Sequence, residues 1–154
     1  MLSQDVKLRS YSPKDREACL AIFDANCPEF FAPNERFDYA EFLDSNPADY
    51  EVCLSEDKII GAFGLAGKNP KFKSICWILI SPDSQGLGIG SIFMNRAINQ
   101  SQQAKLEHIK IAASHLSAPF FAKYGAIGDI EIKDGWGPDM HRIDMELHLS
   151  SKKP

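Results

Sequence analysis

Several features are scarce in this 154-residue chain. No apolar stretch approaches the roughly 20 residues that a membrane-spanning helix needs. The opening MLSQDVKLRSYSPKD has no signal-peptide core. Cations are outnumbered, 17 Lys and Arg against 21 Asp and Glu, for a formal net charge of -4. Nucleic-acid binding needs clustered Lys and Arg to neutralise phosphates, so neither nucleic acid nor a membrane is an expected partner. Cysteine stops at four, Cys19, Cys27, Cys53 and Cys76, with no metal-ligand spacing among them. Cys53 and Cys76 sit inside apolar runs, where the thiol behaves as a small hydrophobe. None stands at a helix start beside a base, so a nucleophilic role is not expected. The pattern reads as reduced structural thiols in a cytoplasmic protein without a metal site. Internal repeats and low-complexity segments are also missing.

What is present is the makeup of an ordinary globular domain. Apolar residues at 44% and charged residues at 25% suit one packed core without disulfides or metals. We expect residues 1–149 to form a single domain and residues 150–154, SSKKP, a loose tail.

The hydrophobic pattern gives an order of elements. VKLRSY alternates as a short strand. SPKDREACLAIFDAN places a serine before a proline and then Ala18, Ile22 and Ala25 at helical spacing. CPEFFAPNERF is broken by two prolines and reads as an irregular aromatic loop, and DYAEFLDS as a short helix after it. YEVCLS and IIGAFGLAG, separated by EDK, read as a hairpin. SICWILI is a continuous apolar run suited to a strand buried on both faces. After a glycine cluster, SIFMNRAINQSQQ carries Ile92, Phe93 and Ala97 on one helical face. HIKIAA alternates, APFFAKYG is a short helix closed at Gly125, and IGDIEIKD and HRIDMELHL are strands joined through GWGPDM. This order predicts an α/β fold, a mixed and mostly antiparallel twisted sheet of about seven strands with helices on both faces. A right-handed β-α-β crossover sits in its middle.

The glycine cluster QGLGIGS, residues 85–91, opens the crossover helix. A helix start offers unpaired N–H groups and the positive end of a dipole, and glycines let an anion approach the main chain. No lysine follows, so the P-loop pattern fails. A dinucleotide fingerprint would begin at the strand's end and carry a third glycine where Ser91 stands; here SPDSQ intervenes between Ile80 and Gly86. A turn serving only close helix packing is the remaining alternative.

WILISPDSQGLGIGSIFM closely resembles the acyl-CoA-binding segment of the GNAT superfamily of N-acetyltransferases. The family pattern is a strand, a loop usually containing proline, and Q/R-x-x-G-x-G/A opening a helix, filled here by Gln85, Gly88 and Gly90. The order of elements is also the family's. The resemblance implies acetyl-CoA as cosubstrate. Its pyrophosphate would lie on the N–H groups of Gly86, Leu87, Gly88, Ile89, Gly90 and Ser91, and its pantetheine arm along Ile78, Leu79 and Ile80. A main-chain N–H near Ile80 would stabilise the developing oxyanion. Ser114, where family members carry an asparagine, is counted with the cofactor residues.

The resemblance also implies direct transfer to a primary amine of a small molecule or a peptide N-terminus. Many members place a tyrosine in the last helix to protonate the leaving thiolate, yet FFAKYGA has Phe121 there. Tyr124 lies three residues on and is a catalytic candidate for that role, though core packing suits it better. His115, after the HIKIAA strand, is a candidate base or a packing residue, and Glu29 and His141 are further base candidates. The substrate regions of the family correspond to CPEFFAPNERF and DGWGPDMHR. There Phe30, Phe31, Trp136 and His141, with nearby acids, suit an amine. The same aromatic surfaces would serve equally in a homodimer. Phe121 also keeps open a rival reading, an acyl-CoA-binding sensor or subunit that transfers nothing.

Overall fold

The computed structural model describes residues 6–149; the expected tail at 150–154 lies outside them. Strand β1 (Val6–Ser10) leads through a 3₁₀ turn at Pro13–Asp15 into helix α1 (Arg16–Ala25). Asp15 holds this entry in two ways. Its carboxylate accepts from the Ser12 N–H at 3.0 Å and forms a two-pronged pair with Arg9 at 2.7 and 2.9 Å. The Arg9 guanidinium keeps that carboxyl below its ordinary range despite burial.

Helix α2 spans Glu35–Asp44, three residues earlier than its apolar pattern suggests. Glu35 explains the difference: its carboxylate accepts the Ala32 N–H at 2.8 Å while its own N–H reaches the Ala32 carbonyl at 2.9 Å. This reciprocal pair starts a helix inside what reads as loop. Strands β2 (Tyr50–Ser55) and β3 (Lys58–Ala66) then join through Glu56 and Asp57. Both turn residues have positive φ, 51° and 67°, as a two-residue hairpin matched to strand twist requires.

Strand β4 (Phe72–Ile80), helix α3 (Ile89–Gln103) and strand β5 (His108–Ser114) form the crossover; α4 (Ala118–Ala122), β6 (Ile127–Gly137) and β7 (Met140–His148) complete the chain. The last two strands reach further into GWGPDM than alternation implies, because register shifts and left-handed residues at Asp134 and Asp139 let the hairpin continue to Gly137 and Met140.

The seven strands lie in the order β1-β2-β3-β4-β5-β7-β6, antiparallel except for β4 beside β5. Alternation along β2 and β3 divides the core in two. Val52 and Ala62 face α1 and α2, packing with Leu20, Phe23, Tyr39 and Leu43. Cys53 and Phe63 face α3, packing with Phe93, Met94 and Ala97. Phe63 and Phe93 stack with ring centres 4.6 Å apart.

The parallel pair β4–β5 is short. Phe72 to Ile75 pair with His108 to Ile111 and the ladder then ends. On the other side of β4, Ala62 opposes Leu79 while Gly64 opposes Cys76, so one residue of β3, Phe63, faces two of β4. The extra residue makes a bulge, and Trp77 takes it up with a left-handed φ of 44°. For a large L-residue that conformation costs about 1–2 kcal/mol. It is offset by ring packing on Tyr39, 4.9 Å between centres, and by the buried Tyr50 hydroxyl, which donates to the Trp77 carbonyl. Tyr39 in turn lies 2.9 Å from the Tyr50 hydroxyl. The bulge re-aims β4, which continues to Ile80 with no partner on its β5 side.

Candidate functional site

A cleft of about 760 Å³ opens where β4 and β5 part. One wall is the free edge of β4 from Cys76 to Ile80. The floor at one end is the glycine loop and the start of α3; the other end is closed by the α1–α2 loop and the β6–β7 hairpin. Ser81 donates to the Ile60 carbonyl on β3. Peptide alternation therefore turns the preceding carbonyl, Ile80, toward the free edge. Asn26, ending α1, takes that carbonyl at 3.0 Å, and its own side-chain oxygen accepts from Gln85 at 3.0 Å. Gln85 also reaches the Ile80 carbonyl at 3.3 Å. Asn26 thus ties the end of β4 to the start of the glycine loop.

Within that loop Gly86 and Gly88 adopt φ of 83° and 89°, which only glycine adopts without strain. A Cβ on either would point into open space, so the side toward the cleft is bare main chain. The N–H groups from Gly86 to Ser91 have no acceptor among the described backbone and side chains, and α3 has no side-chain cap. They are free donors beside the positive end of a 15-residue helix. Gly90 serves a different end. A Cβ there would meet Phe120 at 2.8 Å, so its bareness admits the α4 side chain rather than a ligand.

Ile78, Leu79, Ile80, Gln85, Gly86, Gly88, Ile89, Gly90, Ser91 and Ser114 all line the cleft; Leu87 projects outward from the loop and does not. Phe30, Phe31 and Trp136 line the other end. Trp136 is fixed there by its indole N–H on the Ala113 carbonyl at 2.9 Å. Glu29 is exposed and lies outside the lining. His115 and His141 lie just beyond the cleft, ring centres 4.6 Å apart. Each ring nitrogen Nδ1 is occupied: His115 accepts from the His141 N–H at 3.1 Å and His141 from the Asp134 N–H at 3.0 Å. That arrangement locks the hairpin to the end of β5. Tyr124 also stays outside the lining, its hydroxyl bonded to the Ser91 side chain. Phe121, where a tyrosine is usual, is buried and forms part of the wall.

Two lining residues are not evident from the sequence pattern. Asn26 reads as a helix-end residue. Glu35 falls in the segment that reads as an irregular aromatic loop, where an acid is ordinarily solvated. Its signal is the proline two residues before it, in APNE, the composition of a helix entry. In the fold Glu35 is 5% exposed, and burial pushes its carboxyl up to about 7, against the opposing effect of the Ala32 N–H. Among the described residues only one of its oxygens has a partner. Cys76 also lines the cleft, but burial pushes its thiol up, so it is a poor nucleophile.

A splayed strand edge leading into a glycine loop at a helix start, within this strand order, defines the acyl-CoA N-acyltransferase fold. Residues 19–126 match the acetyltransferase (GNAT) family, and the chain belongs to that family. Among curated relatives, the uncharacterized N-acetyltransferase ycf52 of Porphyra purpurea is 34% identical over 76 residues, 49% of this chain and 43% of that protein. The match thus spans under half of either chain. Among solved structures, Ard1 of Thermoplasma volcanium superposes with a TM-score of 0.79 at 14% identity, covering 96% of this chain and 99% of that one. An aminoglycoside 6'-N-acetyltransferase complexed with coenzyme A gives 0.73 at 12% identity, covering 96% and 99%. Identities this low speak to the fold alone. No described helix is long and apolar enough to cross a membrane, and no described cluster of His, Cys, Asp or Glu is arranged to hold a metal ion.

Proposed function

We propose that the chain is a single-domain, cytoplasmic N-acetyltransferase that moves an acetyl group from acetyl-CoA to a primary amine while both are bound. The carrying observation is the unpaired edge of β4 running into the unclaimed N–H groups of residues 86–91. Those donors suit a pyrophosphate, and the open edge suits the amide-bearing pantetheine arm laid along Ile78 to Ile80. When bound, acetyl-CoA supplies a thioester carbon: the C–N bond forms, the C–S bond breaks, and the proton shed by the attacking nitrogen leaves with the sulfur.

The chain's own residues have three tasks. Glu35 takes the proton that makes the ammonium an amine, since its pKa of about 7 is poised for exchange near neutral pH. The Ile80 N–H, on the same edge as the Ile80 carbonyl, stabilises charge on the thioester oxygen. The cleft walls hold both partners in reacting geometry, which supplies much of the rate. No tyrosine stands among the described lining residues: Phe121 carries no proton, and burial holds the nearby Tyr39 and Tyr50 hydroxyls well above their ordinary range. His115, His141 and Tyr124 are assigned positioning roles, because their hydrogen bonds join elements rather than face the cleft. A direct reaction is favoured over an acetyl-cysteine route by the raised Cys76 thiol.

The second reading, a non-catalytic acyl-CoA sensor, rests on Phe121. Thiol release from acetyl-CoA over an amine panel, with mass detection of the acetylated product, separates the two. Amine-dependent release that survives His115→Ala supports transfer as described. Acetyl-CoA binding with no release on any amine would leave the sensor.

A further inference from the structure

The acceptor end of the cleft is dominated by aromatic rings. Phe31, Phe42, Trp77 and Trp136 line it beside Glu35. Phe31 and Phe42 each lie 6.4 Å from Trp77, centre to centre, so the three make one continuous wall. Phe23 backs Phe31 at 4.9 Å and Tyr39 backs Trp77 at 4.9 Å, which sets the wall's shape before a ligand arrives. Among the described residues, Glu35 is the one acidic residue in the lining and Lys123 the one basic residue. Lys123 stands at the C-terminal end of α4, next to Tyr124, whose hydroxyl is bonded to Ser91. This end of the cleft is also roofed. The Asn34 side chain donates to the Trp136 carbonyl at 2.8 Å. A Cβ on Gly137 would collide with Asn34 and Ala32, so loop and hairpin touch directly.

We propose that the acceptor is a small amine bearing one positive charge on an aromatic or other apolar body. Its ammonium sits on Glu35 and its body against Phe31, Phe42 and Trp77. The proposal rests on the N-acetyltransferase reading of the cleft and specifies what that site accepts. One carboxylate neutralises one ammonium; further charges of a polyamine would be desolvated with no anion to meet them. A free amino acid would bring its own carboxylate toward the Glu35 carboxylate, a like-charge contact that a plain amine avoids. A peptide chain would have to part the Asn34–Trp136 contact, whereas a compact amine fits beneath it. Aromatic faces reward both the apolar body and the cation beside it.

The test uses the full chain at saturating acetyl-CoA, with thiol release read for phenethylamine, spermidine, zwitterionic phenylalanine and an alanine-led tripeptide. Phenethylamine is expected to exceed each of the others in kcat/KM by about tenfold or more. Phe42→Ala should lower that value by about tenfold through KM, with the acetyl-CoA affinity unchanged; Phe42→Leu, which keeps apolar volume, gives a smaller loss in the same direction. Melting curves accompany both, and the leucine variant is decisive if the alanine one does not fold. Spermidine, the amino acid or the tripeptide as best acceptor overturns the assignment while leaving acetyl transfer intact. An unchanged phenethylamine KM in a folded Phe42 variant overturns it equally. Release with none of the four, while calorimetry shows acetyl-CoA bound, overturns the assignment together with the transfer reading.

Discussion

Replacing Glu35 with glutamine should make the protein more stable and less active at once. The carboxyl is 5% exposed and its pKa is raised from 4.5 to about 7, with burial as the leading cause. A group raised in the folded state favours folding fully below its unfolded value and loses that contribution as pH rises through the folded one. The window here runs from about pH 4.5 to about pH 7. At about 1.4 kcal/mol per tenfold change in proton affinity, the charged form costs the fold on the order of 3–4 kcal/mol above that window. Glu35→Gln removes the charge and keeps an oxygen for the Ala32 N–H. It should therefore raise Tm at pH 8 by roughly 7–14 °C and change it little at pH 5. The same variant should lose about 100-fold in kcat/KM, and the wild-type acid limb near pH 7 should vanish from its profile. Thermal melts at both pH values and a kcat/KM profile measure this. A variant that melts lower at pH 8 refutes the buried-charge argument; one that retains kcat/KM refutes the proton-transfer role.

Two other changes probe how the cleft is built. Gly90→Ala should destabilise by about 1–3 kcal/mol through overpacking on Phe120, and adding Phe120→Leu should recover much of it; denaturant melts of single and double variants decide. Tyr50→Phe leaves the Trp77 carbonyl without its buried donor and should cost about 1–3 kcal/mol. It should also raise KM for acetyl-CoA more than KM for the amine, because the bulge aims the free edge of β4.

Local signals carried much of this fold. Alternation in YEVCLS and HIKIAA, glycine at Gly86 and Gly88, and the apolar run SICWILI are each set by neighbours within a few residues, so the element order and the glycine loop at the helix start were legible. The bulge at Trp77 was not, since nothing in SICWILI marks which residue turns left-handed. It is fixed by Tyr39 and Tyr50, which arrive from other elements. Glu35 was hidden for the same reason: its place in a proline-broken, loop-like segment says nothing of the aromatic wall and hairpin that bury it. Glu29, six residues earlier, has the right chemistry in the right loop but remains in solvent. The histidines read as candidates because histidine titrates near neutrality, while their hydrogen bonds to the hairpin backbone are visible only in three dimensions. Gly90 fits the motif yet owes its lack of a side chain to Phe120.

The account stands or falls on the glycine loop and the β4 edge being the acetyl-CoA site. Isothermal titration calorimetry of acetyl-CoA into the wild type and into Gly88→Glu, with melting curves to verify folding, tests that most directly. We expect one saturable site in the wild type, unaffected by NAD, and no measurable binding when a carboxylate stands at the helix start. Absence of wild-type binding at millimolar acetyl-CoA, or equal affinity in a folded Gly88→Glu, would contradict it.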